Sequence, residues 1–195
     1  MFWGNPDASV NFCENDYTKS NYIAEYNNTL SCLFYLIPAF VLWNTKMKKI
    51  SYCLISLATG SALLHATLRF YGQWMDEMSM LILSFYTLKN LNYPVRLYQL
   101  FVIIGIYLLC WNYFIVFFCM FTIMQIMIAY KAKEKTKKII NKFCIKLYLI
   151  SFVLGTICWF FDEFLCYKFQ DYNLHSWWHL FTSLAITFGY LGLIL

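Results

Sequence analysis

Seven apolar stretches follow one another along this chain, and only short polar segments separate them. A bilayer core about 30 Å thick is crossed by roughly 20 apolar residues in a helix, so each stretch predicts a membrane-spanning helix. The fourth and fifth stretches are divided at residues 110–113, because one helix over residues 97–130 would far overshoot the bilayer. The predicted spans lie near residues 26–44, 49–69, 74–91, 95–110, 113–130, 143–166 and 176–195.

Composition also indicates an integral membrane protein. The chain has 195 residues, of which 61% are hydrophobic and only 13% are charged, a balance outside the usual range of soluble domains. Seven spans leave room only for short loops, so we expect a single domain over residues 1–195, an all-α seven-helix transmembrane bundle. Residues 1–25 are polar and acidic and form a tail outside the membrane. No cleavable leader is apparent, and the first span is expected to act as the signal.

The basic residues predict how the chain is oriented in the membrane. Twelve of the 15 Lys and Arg side chains fall in the connections after the first, third and fifth spans; the exceptions are Lys19, Arg69 and Lys168. By the positive-inside rule, the amino terminus is expected on the lumenal or outer side and the carboxyl terminus in the cytosol. The basic run over residues 130–142 therefore indicates topology and contact with anionic lipid, and not a nucleic-acid site.

The three histidines of the chain are expected at one depth, near the outer face. His65 lies near the outer end of the second span, while His175 and His179 begin the seventh. A spacing of four residues places His175 and His179 on one face of a helix, as two ligands of one metal ion require. A single histidine here is usually a packed or interfacial residue, but three neutral imidazoles beside carboxylates favour zinc with an open fourth position.

Ser61 and Asp76 are expected beside that site. Ser61 precedes His65 by four residues and shares its helix face, while Asp76 opens the third span across a short outer turn. A carboxylate there can take a proton from water at the metal, and a serine hydroxyl can bond to an oxyanion on an attacked carbonyl. The alternatives are structural: a serine that bonds to its own backbone, and an aspartate that caps a helix.

The tail holds a second group of oxygen ligands, Asn11, Glu14 and Asp16, with Glu25 at the start of the next helix. Closely spaced oxygen ligands suit a hard cation such as calcium. An acidic, solvated tail is the commoner explanation for such residues, because the spacing of an EF-hand loop is not present.

Cys13 and Cys166 differ from the other six cysteines, because both are predicted at the outer surface. An oxidising lumen would permit a disulfide between them that ties the tail to the sixth span, and the sequence leaves open whether it forms. The remaining cysteines match no C-x-x-C zinc pattern and are expected to be mostly small apolar residues within spans.

These polar residues fall in three separated blocks: FCENDYTKSNYIAEYNNT, GSALLHATLRFYGQWMDEMSM and CWFFDEFLCYKFQDYNLHSWWHLF. With their Y-I-A-E-x-x-N-T, G-S-x-x-x-H-x-T-L and H-x-W-W-H patterns, the blocks resemble the alkaline ceramidases. That family is part of a superfamily of seven-helix hydrolases that also includes the adiponectin receptors. The order, spacing and predicted depth of all three blocks agree with the family.

The resemblance implies an enzyme that uses water to hydrolyse the amide bond of ceramide, giving a sphingoid base and a fatty acid. It suggests the membrane of the endoplasmic reticulum or Golgi. It implies that the three histidines hold zinc, that Asp76 activates the water, and that Ser61 supports the metal site and the oxyanion. It also implies a calcium site, whose ligands are Asn11, the carbonyl oxygen of Phe12, Glu14, Asp16 and Glu25.

Two calcium positions depart from the family pattern. Asn11 stands where the family usually has aspartate, and Asp16 stands where it usually has asparagine. The number of carboxylates is unchanged, so we expect a retained site.

Other classes of protein fit parts of the sequence. A zinc-containing seven-helix bundle would also serve as a lipid receptor, and a related amidase would act on a different N-acyl lipid. A transporter or channel would need polar residues through the depth of the bundle, yet the fourth and fifth spans hold almost none. Ceramide hydrolysis is the function we expect.

Overall fold

The computed structural model describes residues 2–135 and 139–194. These residues form helices and hold no strand, which confirms the predicted all-α class. Lys137 and Lys138, in the predicted cytosolic basic run, lie outside the described residues. In chain order the helices are α1 (Tyr26–Ser31), a 3-10 turn (Cys32–Tyr35), α2 (Leu36–Trp43), α3 (Lys48–Thr67), α4 (Phe70–Asn90), α5 (Leu97–Cys110), α6 (Phe114–Lys135), α7 (Ile139–Phe164), α8 (Cys166–Phe169), a second 3-10 turn (Gln170–Tyr172) and α9 (Leu174–Ile194).

Four of the described helices are long and apolar enough to cross a membrane. They are α3, α9, and the parts of α6 and α7 over Phe114–Glu134 and Ile140–Phe164. α5 is apolar but shorter, and its end at Cys110 before α6 confirms the predicted division of that region. These lengths and compositions indicate a membrane protein, while the count of seven crossings and the orientation of the termini stay predictions.

Large apolar side chains cover the outside of the bundle. Leu109 in α5 is 85% exposed and Phe40 in α2 is 73% exposed. An apolar surface of this extent is unfavourable in water and suits contact with lipid hydrocarbon. Inside the bundle, Leu42, Leu54 and Leu81 are fully buried.

The first helical region is divided by a 3-10 turn, and Pro38 explains the division. Proline has no backbone N–H, and its ring crowds the carbonyl group four residues earlier, here that of Phe34. The chain therefore tightens into the turn Cys32–Tyr35 between α1 and α2. The turn follows Ser31, which is buried against α9.

Two glycines bring α3 and α4 into backbone contact. A Cβ atom on Gly60 would lie 2.6 Å from the backbone nitrogen of Asp76, and one on Gly72 would lie 2.5 Å from the backbone nitrogen of Leu64. Only glycine permits so close a crossing. Ser61, which follows Gly60, is therefore held beside Asp76.

The amino-terminal tail lies across the adjacent ends of α3 and α4. The carbonyl oxygen of Leu68, just after α3, accepts hydrogen bonds from the backbone N–H groups of Asp7 and Ala8. The Asp7 carboxylate pairs with Arg69 at 2.8 Å and accepts a hydrogen bond from the N–H of Phe70 at the start of α4. The tail thus covers the end of the bundle at which the histidines lie.

Candidate active site

Three imidazole rings meet between α3 and α9. The ring centroids of His175 and His179 are 4.7 Å apart, because the two residues are one helical turn apart in α9. The His65 ring lies 4.9 Å from that of His175 and 5.1 Å from that of His179. All three side chains are buried. The structure therefore brings together the three predicted zinc ligands.

Hydrogen bonds orient two of these rings. The Glu25 carboxylate lies 2.5 Å from Nδ1 of His65, and the Ser31 hydroxyl lies 2.7 Å from Nδ1 of His179. Both contacts leave Nε2 as the nitrogen that faces a metal ion. A carboxylate on the far nitrogen is the usual partner of a zinc-bound histidine.

The hydrogen bonding of the histidine nitrogens indicates whether these residues suit a metal ion. Nε2 of His65 and Nδ1 of His175 are buried and have no hydrogen-bond partner among the residues that the structure describes. A buried polar atom without a partner is costly, and coordination to a metal ion is one way to satisfy such a nitrogen. Neutral imidazole nitrogen is a preferred ligand of zinc.

Cys32 is a further residue near this site that the sequence did not single out. Its sulfur, with ligand nitrogens of His65 and His179, forms a group whose atoms all lie within 4.8 Å of one another. The Cys32 thiol also lies 3.1 Å from the carbonyl oxygen of Asn28 and 3.8 Å from Nδ1 of His179. By this measure the close group of ligand atoms in the described residues contains Cys32, and His175 is not part of it.

Ser61 and Asp76 lie beside the histidines and line the same cavity as His175 and His179. Ser61 is buried and is within hydrogen-bonding reach of the Asp76 carboxyl group and the Cys32 thiol. Asp76 is only partly buried and faces a cavity. An acid that reaches both a metal site and open space is placed to exchange protons with a substrate.

That cavity joins the polar site to an apolar interior. Its polar wall includes Ser61, Asp76, His175 and His179. Its aromatic wall, from α6, α7 and α9, consists of Phe114, Phe117, Phe118, Phe121, Phe152, Trp159 and Trp178. A second, almost wholly apolar cavity adjoins the first, and both are lined by Tyr35, Met80 and Trp178. The site can therefore accept a molecule with a polar centre and long apolar chains.

The acidic residues Glu14 and Glu25 form hydrogen bonds with several backbone groups, and Glu25 also contacts His65. The Glu14 carboxylate accepts hydrogen bonds from the backbone N–H groups of Asn27 and Asn28, at the start of α1. Glu25 accepts one from the N–H of Phe12 in addition to its contact with His65. These bonds fix the tail to α1 and α3.

Asp16 is an acidic residue of the tail with an unsatisfied side-chain oxygen. Its Oδ1 atom is buried and has no hydrogen-bond partner within the described part of the chain. Burial raises the pKa of Asp16, and the nearby carboxylates of Glu25 and Glu14 raise it further. Asn11, by contrast, is exposed. In the described residues the closely grouped ligand atoms are those of Cys32, His65 and His179, so the tail acids are not gathered as tightly.

Cys13 and Cys166 are joined by a disulfide, with Cα atoms 5.3 Å apart. Next to it, the Asp162 carboxylate accepts hydrogen bonds from the backbone N–H groups of Cys13 and of His175. Asp162 thus joins α7, the tail and the first turn of α9. The sequence contained one signal of this role, a buried acid in an apolar span, but not its partners.

Comparisons with known proteins identify the family of this chain. Residues 4–195 match the protein family described as Ceramidase. The chain is 31% identical to the alkaline ceramidase of Arabidopsis thaliana, over 93% of this chain and 81% of the relative. It is 28% identical to alkaline ceramidase 1 of Mus musculus, over 93% and 77% of the two chains. It is 27% identical to the alkaline ceramidase of Drosophila melanogaster, over 91% and 73%. The resemblance seen in the three sequence blocks is confirmed.

Proposed function

This chain belongs to the ceramidase family, and on that premise we propose that it is a zinc-dependent amidase that hydrolyses ceramide within the membrane. The products are a sphingoid base and a free fatty acid. The observation that carries the proposal is a cavity with apolar walls that is lined by Ser61, Asp76, His175 and His179, with the His65 ring packed against those of the other two histidines.

His65, His175 and His179 would hold the zinc ion. When bound, zinc supplies a Lewis acid that lowers the pKa of water and polarises an amide carbonyl. Glu25 and Ser31 fix the rings of His65 and His179 through their Nδ1 atoms. The orientation of the ligands is thus set before a metal ion arrives.

Asp76 and Ser61 act on the substrate. The Asp76 carboxylate takes a proton from the attacking water as the new C–O bond forms at the amide carbon. The Ser61 hydroxyl donates a hydrogen bond to the carbonyl oxygen, which gains negative charge in this step. Asp76 then returns its proton to the amide nitrogen as the C–N bond breaks, so that the amine leaves in neutral form.

The cavities explain how a lipid with two chains would be held. The cavity with the aromatic wall opens beside Asp76, and the adjoining apolar cavity extends toward Ile128 and Ala132 in α6. Two neighbouring apolar spaces suit the acyl chain and the chain of the sphingoid base. Water has little access to such walls, which strengthens the electrostatic contacts of the site.

Membrane topology and calcium complete the proposal. We place seven spans in the bilayer, with the amino terminus lumenal and the carboxyl terminus cytosolic, in the endoplasmic reticulum or Golgi. Asn11, the Phe12 carbonyl oxygen, Glu14, Asp16 and Glu25 would hold calcium. The Oδ1 atom of Asp16, which is buried without a hydrogen-bond partner in the described residues, supports this part, as does the nearness of Glu14 and Glu25.

The test is fatty acid release from ceramide by the purified protein, with zinc measured on the same sample. Asp76→Asn should lower kcat by about 100-fold or more while zinc content stays unchanged, because the variant loses the proton acceptor but keeps the histidines. Asp171→Asn, at an exposed position, is the matched control and should behave as the wild type. Zinc-loaded wild-type protein that binds ceramide without hydrolysing it would support a receptor. Hydrolysis of other N-acyl lipids but not ceramide would support a different amidase.

A further inference from the structure

A second carboxylic acid lines the cavity beside Asp76, and the mechanism above does not use it. Glu77 is 3% exposed, and it contributes to the cavity wall from α4. Its Oε1 atom accepts a hydrogen bond of 3.0 Å from the Gln73 side chain, one helical turn earlier. Its Oε2 atom is buried and has no hydrogen-bond partner in residues 2–135 and 139–194.

The position of Glu77 is set by the tail. The Gln73 amide group exchanges two hydrogen bonds of 2.7 Å with Ser9, one to the side chain and one from the backbone N–H. Ser9 in turn donates to the carbonyl oxygen of Trp111, in the connection after α5. Because Gln73 is held on one side, its remaining N–H fixes Oε1 of Glu77. The unused oxygen is therefore preorganised and not the end of a mobile side chain.

A donor group lies next to the same carboxyl group. Tyr107 of α5 is 1% exposed, and its side chain interacts directly with that of Glu77. The Tyr107 hydroxyl makes no hydrogen bond of ordinary length and angle within the described residues, so its pairing with Glu77 is incomplete. Glu77 thus brings an incompletely satisfied acceptor to the cavity wall, and Tyr107, which does not line the cavity, holds an incompletely satisfied donor beside it. Such groups are costly in an apolar bundle.

We propose that Glu77 is a specificity-determining residue that accepts a hydrogen bond from a hydroxyl group of the sphingoid base, with Tyr107 as a supporting donor. The inference rests on the proposed function, since it concerns the substrate of that same site. A substrate hydroxyl group can donate a hydrogen bond to the Glu77 carboxyl group, and Tyr107 can donate to the same carboxyl group from the protein side. Asp76, the neighbouring residue, contacts the amide group, and in ceramide the hydroxyl groups are one carbon from the carbon that bears the amide nitrogen.

This contact would select N-acylated amino alcohols over simple fatty amides. A site built to bond a substrate hydroxyl discriminates strongly against an analogue without it, because the protein group is then left buried and unpaired. Apolar walls alone would not make this distinction.

The experiment compares three substrates with the same acyl chain: ceramide, its 1-deoxy analogue and its 3-deoxy analogue. Glu77→Met removes the acceptor with little change in volume. Glu77→Gln retains polarity and keeps the test possible if Glu77→Met does not fold. Glu77→Met should lower kcat/KM for ceramide by about 10- to 100-fold, as expected for loss of a buried hydrogen bond. For one of the two deoxy analogues the same substitution should have almost no effect. That analogue is the one that lacks the hydroxyl group bonded by Glu77, and the wild type should hydrolyse it less efficiently than ceramide. Tyr107→Phe should reduce this preference for ceramide, as Glu77→Met does.

An equal loss on all three substrates would overturn the inference, because Glu77 would then be a structural residue only. Equilibrium binding of the same lipids to Asp76→Asn protein, with and without Glu77→Met, separates this result from the proposed function. Hydroxyl-dependent binding without hydrolysis by the wild type would refute the amidase and retain the role of Glu77. Hydrolysis by the wild type without any preference for a substrate hydroxyl group would retain the amidase and refute the role of Glu77.

Discussion

Gly60 in α3 faces the backbone nitrogen of Asp76 in α4 so closely that no side chain fits between them. A methyl group at this position would lie 2.6 Å from that nitrogen and 2.7 Å from the carbonyl carbon of Met75. The contact involves backbone atoms, which cannot move aside as a flexible side chain can. The distance between Ser61 and Asp76 therefore depends on a residue that has no side chain.

Substitution of Gly60 by alanine should separate α3 from α4 and reduce activity. Overpacking of this kind costs typically about 1–3 kcal/mol of stability. A shift of about 1 Å between groups that act together can cost on the order of 100-fold in rate. We expect Gly60→Ala to fold with a lower melting temperature and to lose most ceramide hydrolysis.

Gly105→Ala is the matched control, because a Cβ atom on Gly105 would have no atom within 4 Å among the described residues. Alanine also favours helix over glycine, so this variant should be as stable as the wild type or slightly more so. Equal activity of Gly60→Ala and Gly105→Ala would contradict a role for the close crossing.

His175 and Cys32 are alternative third ligands of the proposed zinc site, and the metal content of variants distinguishes them. Cys32 lies on the Nδ1 side of His179, a nitrogen already held by Ser31, whereas zinc is expected at Nε2. His175→Ala should therefore lose zinc and activity, while Cys32→Ala should retain both. The zinc content of each purified variant is measured by elemental analysis.

Cobalt substitution gives an independent check on Cys32. A protein in which only imidazoles hold the metal should show no thiolate-to-cobalt charge-transfer absorbance. Such absorbance, together with zinc loss in Cys32→Ala and zinc retention in His175→Ala, would establish the cysteine-containing set instead.

Much of the site was accessible from the sequence because ionisable groups are costly in an apolar segment. His65, His175 and His179 stand out for this reason, and helical spacing alone predicts that the last two share a face. Cys32 carries no such signal, since a cysteine in an apolar stretch resembles a small packing residue. The partners of Asp162 also escaped prediction, because its bond to Cys13 joins residues that are 149 positions apart.

Asp162→Asn should weaken zinc binding although Asp162 does not touch the site. Its two oxygens hold the N–H groups of Cys13 and His175, and an amide would turn a donor toward one of them. Loss of such outer contacts typically costs about 10- to 100-fold in metal affinity or activity. The measurement is zinc affinity by competition with a chelator, and Glu163→Gln, at the exposed adjacent position, is the control. Unchanged affinity in Asp162→Asn would limit this residue to a general structural role.

Calcium should stabilise the protein through Asp16. Burial and two neighbouring carboxylates raise the pKa of Asp16, so its charged form is disfavoured until a cation arrives. A ligand at about 100 times its Kd adds about 2.7 kcal/mol of stability, which is visible as a higher melting temperature. We expect calcium to raise the melting temperature of the wild type, chelation to reverse the change, and Asp16→Asn to reduce the calcium-induced rise strongly.

Asp171→Asn should respond to calcium as the wild type does, because Asp171 is exposed. Magnesium provides the ionic control, since it is smaller than calcium, demands near-octahedral geometry and gives up its water reluctantly. Identical melting shifts with calcium and magnesium, or a full calcium response in Asp16→Asn, would contradict a specific calcium site. The acidic residues would then only be solvated or bonded to the start of α1.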